Sequence, residues 1–160
     1  MDFSQWFRDQ LNTSAEGFVW SAQQVPAARR LVTPPEGLGE WSVARHVFHM
    51  TFYERHYALP WMRVGLGEAR DGMAGLDEAG AWDSCKDDFD SLLAEFRYVR
   101  REQIALLDRF DQAAWETTIQ LDWGTYPISW YVTKTYQHTA EHTSDVLKMA
   151  LFWDAVRNRG

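Results

Sequence analysis

The sequence has few of the residues that would indicate an extracellular or membrane protein. Its 160 residues include one cysteine, Cys85, and no long apolar run. A single cysteine excludes an intramolecular disulfide framework and favours a reducing compartment, with Cys85 in a structural role. A membrane span needs about 18 consecutive apolar residues, and a signal peptide needs a basic segment followed by an apolar one. Neither pattern is present, so we expect a cytoplasmic protein that does not bind membranes.

Basic residues are also scarce. The chain has 16 Lys and Arg against 23 Asp and Glu, which gives a formal net charge of −7. Proteins that bind nucleic acids concentrate basic charge on one surface, so nucleic-acid binding is not predicted. Apolar residues make up 46% of the sequence and aromatic residues 15%. This composition is typical of a chain that folds alone, and we expect a single domain spanning residues 1–160.

Apolar residues recur every three or four positions in four segments, which predicts four helices. They cover about residues 3–24, then from a cap at Ser42 to about residue 64, from a cap at Asp83 or Ser84 to about residue 110, and from Pro127 to about residue 154. No segment is rich enough in strand signals to build a sheet. The fold class is therefore all-α, and the architecture is a four-helix bundle.

The connections between these helices differ in length. Residues 65–80 are rich in glycine and are predicted to form a loop with at most one helical turn. Because this second connection is long, it permits an order of helices in the bundle that differs from their order in sequence. Residues 117–126 are predicted to form a short hairpin or an irregular crossing. Trp115, Trp123 and Trp130 flank the fourth helix, and we interpret them as core or interface residues.

All five histidines fall in two predicted helices: His46, His49 and His56 in the second, and His138 and His142 in the fourth. His138 and His142 are four positions apart, so their rings project from adjacent turns of one face and can bind one metal ion together. A third ligand would come from the second helix. Spacing alone does not choose between His46 and His49 for that role.

Two motifs resemble those of the DinB/YfiT-like superfamily of metal-binding helical bundles. Residues 41–50, Trp-Ser-Val-Ala-Arg-His-Val-Phe-His-Met, are similar to the family's W-S-x-x-x-x-x-x-H-L motif, and residues 136–142, Tyr-Gln-His-Thr-Ala-Glu-His, to its H-x-x-x-H motif. The resemblance implies that His49, His138 and His142 bind one divalent metal ion. It further implies a bundle with one long crossover connection and frequent homodimers.

The resemblance also suggests a class of reaction. Characterised relatives are transferases and isomerases that use thiols such as mycothiol, bacillithiol or glutathione. We therefore expect a metal-dependent transferase or hydrolase of a small molecule, with a low-molecular-weight thiol as cosubstrate. Three histidine ligands suit zinc or nickel best, with iron, manganese and copper as alternatives. The competing hypothesis is a non-catalytic bundle in which the metal or another ligand has a structural or sensing role.

Three side chains near the predicted ligands are candidates to orient them: Tyr53, His46 and Asp145. Asp145 lies one turn beyond the last histidine and is predicted to accept a proton from a ligand imidazole. Glu141 lies about 60° away from the ligand face and is a weaker candidate. His56 is predicted to be a hydrogen-bonded or exposed histidine. The pattern assigns no catalytic residue.

Overall fold

The computed structural model describes residues 3–69, 75–85, 88–122 and 124–158, and within them the chain is mainly helical. The helices are α1 (Phe3–Gln24), α2 (Val43–Tyr53), α3 (Leu59–Gly65), α4 (Glu78–Cys85), α5 (Phe89–Leu107), α6 (Gln112–Glu116) and α7 (Ile128–Arg157). Two short strands, β1 (Thr118–Leu121) and β2 (Gly124–Pro127), precede α7. The all-α prediction is confirmed. None of the helices in the described ranges has the length and apolar character needed to cross a bilayer.

The second predicted helix is continuous but changes its hydrogen-bonding pattern. Ser42 caps it as expected, because its hydroxyl accepts a hydrogen bond from the backbone N–H of Arg45 at 3.2 Å. Residues Glu54–Ala58 form a π-helical segment that joins α2 to α3. Pro60 lies directly after this segment, where the backbone hydrogen bonds change their pattern. The spacing of apolar residues did not predict the π-helical segment.

The predicted start of the third helix is wrong. Its cap is Asp88, whose carboxylate accepts the backbone N–H of Ser91 at 3.0 Å, and not Asp83 or Ser84. Those two residues belong instead to α4, a separate helix that begins within the last residues of the predicted loop. The carboxylate of Asp77 accepts the N–H of Gly80 at 3.0 Å, so α4 has a cap of its own.

The region before the last helix forms an antiparallel hairpin. Of the two alternatives predicted for residues 117–126, the hairpin is therefore correct and the irregular crossing is not. Ile119 pairs with Tyr126 across β1 and β2. Pro127 is the cap of α7 and not its first residue. Trp115 stacks on Phe7 with ring centroids 5.5 Å apart, in agreement with its interpretation as a core residue. Trp123 lies outside the described residues.

The helices are not arranged in sequence order. Helix α1 packs against α5 and α7, and the α2–α3 unit also packs against α5 and α7. The order around the bundle is therefore α1, α5, α2–α3, α7, which the long connections make possible. This arrangement places α2 directly beside α7, the two helices that carry the histidines.

Two apolar clusters fill the bundle, and a polar layer lies between them. One cluster includes Phe18 and Met149, and the other includes Leu11. Thr135 and Thr139 in α7, and Glu54 after α2, fall between residues of the two clusters. At its centre the buried Arg100 pairs with the buried Glu54.

Arg100 links four segments of the bundle. Besides Glu54 in the π-helical segment, its guanidinium donates to the carbonyl of Leu11 in α1 at 2.7 Å and to the hydroxyl of Thr139 in α7 at 2.8 Å. Arg100 itself lies in α5. Because Thr139 follows His138, this network holds the part of α7 that carries the histidines at a fixed depth in the bundle.

Candidate metal centre

Three imidazoles converge where α2 faces α7. The Nε2 atom of His138 lies 3.2 Å from Nε2 of His49 and 3.0 Å from Nε2 of His142. His49 comes from α2, and the other two come from adjacent turns of α7. Their ligand atoms all lie within 4.8 Å of one another, so the three side chains could hold a metal ion. The structure thus brings His49, and not His46, to this cluster of Nε2 atoms.

The distances between these nitrogens agree with metal binding. Metal–nitrogen bonds of about 2.0–2.1 Å place two ligand nitrogens about 2.9 Å apart at a right angle and about 3.4 Å apart at the tetrahedral angle. The observed 3.0 and 3.2 Å fall between these limits. Three imidazole nitrogens are also a donor set that divalent transition metals accept. The residues therefore fit the ion that the motifs imply.

Burial keeps the imidazoles of His138 and His142 neutral, as metal ligands must be. Burial, together with the neighbouring His49 and Lys134, lowers the pKa of His138 to about 4. Burial also lowers the pKa of His142 far below its ordinary value, with His138 and His46 as further causes. At neutral pH the rings of His138 and His142 therefore each keep a nitrogen lone pair. Ligand nitrogens without protons are what a divalent ion requires.

The second nitrogen of His142 faces His46. The two Nδ1 atoms are 2.7 Å apart, and Asp145 lies close enough for the three residues to form a second group able to hold metal. However, 2.7 Å is shorter than the separation of about 2.9 Å expected for two nitrogens on one ion. We therefore assign this contact as a hydrogen bond between His46 and His142. Asp145 was expected to accept the ring proton of His142, but His46 occupies that position. Asp145 instead accepts a hydrogen bond from Lys148 at 2.8 Å.

The second nitrogen of His49 faces a residue that sequence reasoning missed. Its Nδ1 atom lies 3.0 Å from Oε1 of Glu78, and the same oxygen receives the Arg45 guanidinium at 2.7 Å. Glu78 belongs to α4, in a region predicted to be mostly loop. The cap sequence at Asp77 is the one signal that could have placed a helix there.

Aromatic side chains form the walls of the site. Trp41 lies 4.8 Å from the ring of His49 and parallel to the ring of His142 at 6.0 Å. The ring of Tyr53 meets His138 at 4.6 Å in an edge contact. Burial raises the pKa of the Tyr53 phenol, so its hydroxyl stays protonated and can donate a hydrogen bond.

The third imidazole, His138, has a different environment. Its Nδ1 atom is buried and has no hydrogen-bond partner among the described residues. The remaining sequence candidates lie elsewhere: the ring of His56 packs on Phe52 at 4.5 Å, and Glu141 is exposed near Lys134. Neither belongs to the three-imidazole cluster.

A cavity of about 490 Å³ lies beside the cluster. It is bordered by the loop before α2 and by His46 and His142, with Asp145 and Lys148 at its edge. Cavities of this size accommodate small molecules. Space for a small ligand therefore exists next to one of the three imidazoles.

Comparison with known proteins adds one finding. The model of the DinB superfamily matches residues 8–146, which is most of the chain. Searches of curated proteins and of solved structures found no match. The matched region includes every histidine described above.

Proposed function

The chain belongs to the DinB superfamily, and on that premise we propose that it is a metalloenzyme with one divalent ion bound by His49, His138 and His142. The convergence of the three Nε2 atoms carries this proposal. The neutral state of His138 and His142, and the fit of the three nitrogens to the distances between metal ligands, support it. Zinc or nickel is the proposed metal, because both accept neutral imidazole ligands.

The proposed role of the ion is catalytic. Structural zinc sites are closed by four protein ligands, whereas three protein ligands leave a position for water or substrate. An ion bound in this way lowers the pKa of a coordinated water or thiol and polarises a substrate oxygen. Around it, the protonated Tyr53 hydroxyl can donate a hydrogen bond to a bound anion, and His46 can hold His142 through Nδ1.

The proposed substrate is a small molecule. The cavity beside His142 supports this choice through its size and through the mixed charges of Asp145 and Lys148 at its edge. Following the resemblance of the motifs, we propose a transferase or hydrolase reaction with a low-molecular-weight thiol as cosubstrate. A homodimer is the proposed assembly.

Measurement of bound metal tests the ligand set. The purified chain is loaded with Zn²⁺ or Ni²⁺, desalted and analysed for metal, together with the variants His138→Ala and His56→Ala. His56 is a matched control, since it lies in the same helical unit as His49 but outside the cluster. We expect about one ion per chain in the wild type and in H56A, and none in H138A. Equal metal content in H138A and the wild type would refute the proposal.

One observation favours a structural metal as the second candidate. The ligands come from two neighbouring helices, so an ion would cross-link α2 to α7. A structural ion predicts that chelation lowers the melting temperature strongly and that no substrate is turned over. A catalytic ion predicts metal-dependent turnover of a thiol and an electrophilic small molecule, lost in H138A while the helical circular dichroism signal remains.

A further inference from the structure

Glu78 reaches the cluster from outside the four long helical units. Its Oε1 atom lies 3.0 Å from Nδ1 of His49 and 2.7 Å from Nη2 of Arg45. An ionised carboxylate has no proton to donate, so it is the acceptor in both contacts. Nδ1 of His49 therefore carries a proton. In the neutral ring that a metal ion binds, the lone pair is then on Nε2, the atom that faces His138.

We propose that Glu78 is a positioning residue of this centre, which fixes His49 in its metal-binding tautomer and couples the docking of α4 to metal occupancy. The inference rests on the proposed function, because it assumes that His49 is a ligand. Carboxylates that hold ligand histidines in this way typically change metal affinity 10–100-fold.

Arg45 holds the carboxylate in place. Its guanidinium lies over the rings of Trp41, Phe48 and Trp82 at 5.1–5.4 Å, and its side chain is only 15% exposed. Arginine stacked on aromatic rings keeps one orientation, so the contact with Glu78 is directional. Since Glu78 is itself 28% exposed, much of this pair is shielded from solvent screening.

Helix α4 is attached through few side chains. No residue of α4 is fully buried, and its contacts to α2 include Glu78 and Trp82, whose ring lies 5.4 Å from that of Phe48. The Asp77 cap places Glu78 in the first helical turn, where the helix dipole favours a carboxylate. Coupling between two events is reciprocal. If docked α4 strengthens metal binding, then bound metal must stabilise docked α4.

Among the described residues, the other two imidazoles have no carboxylate in the place that Glu78 takes at His49. His142 faces a neutral histidine through Nδ1, and Nδ1 of His138 has no partner in the described part of the chain. Within the part of the chain that the structure describes, Glu78 is thus the carboxylate in hydrogen-bond contact with a proposed ligand. Its removal should affect the tautomer of His49 and leave those of His138 and His142 unchanged.

The test compares Glu78→Ala and Glu78→Gln with Glu95→Gln, all in the full chain. Glu95 is a matched control because it also pairs with an arginine, Arg55, but lies in α5. Zn²⁺ affinity is measured by competition with a chromophoric chelator. We expect E78A to bind Zn²⁺ 10–100-fold more weakly and E78Q to show a smaller loss, because the amide oxygen still accepts a hydrogen bond. E95Q should bind like the wild type.

Two further measurements separate positioning from a merely structural role. Nitrogen-15 spectra of the Zn²⁺-loaded wild type and E95Q should show the Nδ1–H signal of His49, because the hydrogen bond to Glu78 slows exchange of this proton with water. The Nδ1–H signal should be lost in E78A. Hydrogen exchange of residues 78–85 should slow on Zn²⁺ binding in the wild type but not in E78A. Weaker binding in E78A with an unchanged His49 signal would overturn the proposal, as would affinity equal to that of E95Q. Failure of the proposed function can be distinguished from failure of this inference. If His138 is not a ligand, H138A binds Zn²⁺ as tightly as the wild type, whatever E78A does.

Discussion

Replacement of Arg100 by methionine should destabilise the fold strongly and in a pH-dependent manner. The variant leaves the carboxylate of Glu54, whose side chain is 0% exposed, without its cationic partner. Loss of one member of a buried ion pair costs about 3–5 kcal/mol. For a chain of this size each kcal/mol corresponds to roughly 2–4 °C in melting temperature, so a decrease of about 10 °C is expected.

The two members of the pair should respond unequally. Glu54→Gln leaves Arg100 with the carbonyl of Leu11 and the hydroxyls of Ser14 and Thr139 as acceptors. We therefore expect a smaller loss, about 1–2 kcal/mol. The double variant should recover much of the stability lost in R100M, because it removes the unpaired carboxylate.

The sign of the pH dependence follows from burial. Burial raises the pKa of Glu54, and Arg100 opposes this shift. Without Arg100 the folded-state pKa rises further above the unfolded value. The stability of R100M is then highest where Glu54 is protonated and is lost as pH rises through the folded-state pKa. The deficit of R100M relative to the wild type should therefore be larger at pH 8 than at pH 5.

Urea denaturation followed by circular dichroism at both pH values measures these differences. The reasoning is refuted by a deficit below about 1 kcal/mol in R100M, or by equal deficits at pH 5 and pH 8. It is also refuted if E54Q costs as much as R100M, since the unequal hydrogen bonding of the two side chains predicts otherwise.

Three further predictions concern the cap, the core and the metal. Ser42→Ala removes the cap of α2 and should cost about 1 kcal/mol, seen as a decrease of roughly 2–4 °C in melting temperature; an unchanged value would contradict the capping contact. Phe18→Ala leaves a cavity beside Phe96 and should cost about 3–5 kcal/mol in urea denaturation; a loss below about 1 kcal/mol would show that the site is not tightly packed. Zn²⁺ at 100 times its dissociation constant should stabilise the wild type by about 2.7 kcal/mol and leave H138A unaffected; equal stabilisation of both would contradict the ligand set.

Much of the fold could be predicted from local patterns. The apolar spacing located α1 at its observed ends, and the serine before α2 marked a cap that the structure contains. The pair His138 and His142 was recognisable because a separation of four residues places two rings on one face of any helix. These features depend only on the geometry of a single helix, which the sequence reports directly.

The remaining features depend on interactions between distant segments. The π-helical segment at Glu54–Ala58 shifts the backbone hydrogen bonds beside a buried ion pair, and apolar spacing carries no signal of that pair. Helix α4 has no buried face to give it an apolar period. Its first residues were therefore predicted as loop, and its last residues as the start of the third helix. The contact of Glu78 with His49 spans 29 positions and exists only once α4 has docked.

The order of helices around the bundle also has a consequence for folding. Contacts of the first 30 residues reach far along the chain. Trp115 donates to Ser4 in α1 across 111 positions, and Arg29, which follows α1, pairs with Asp154 across 125. Helices α1 and α2 are consecutive in sequence but share α5 and α7 as packing partners, so they do not form a local helical hairpin that could nucleate early. Loop closure must precede these contacts, which slows folding relative to a simple up-and-down bundle. During synthesis on the ribosome, the apolar faces of α1, α2 and α3 therefore stay exposed until α5 has been made. Their burial is complete only after α7 has also been made.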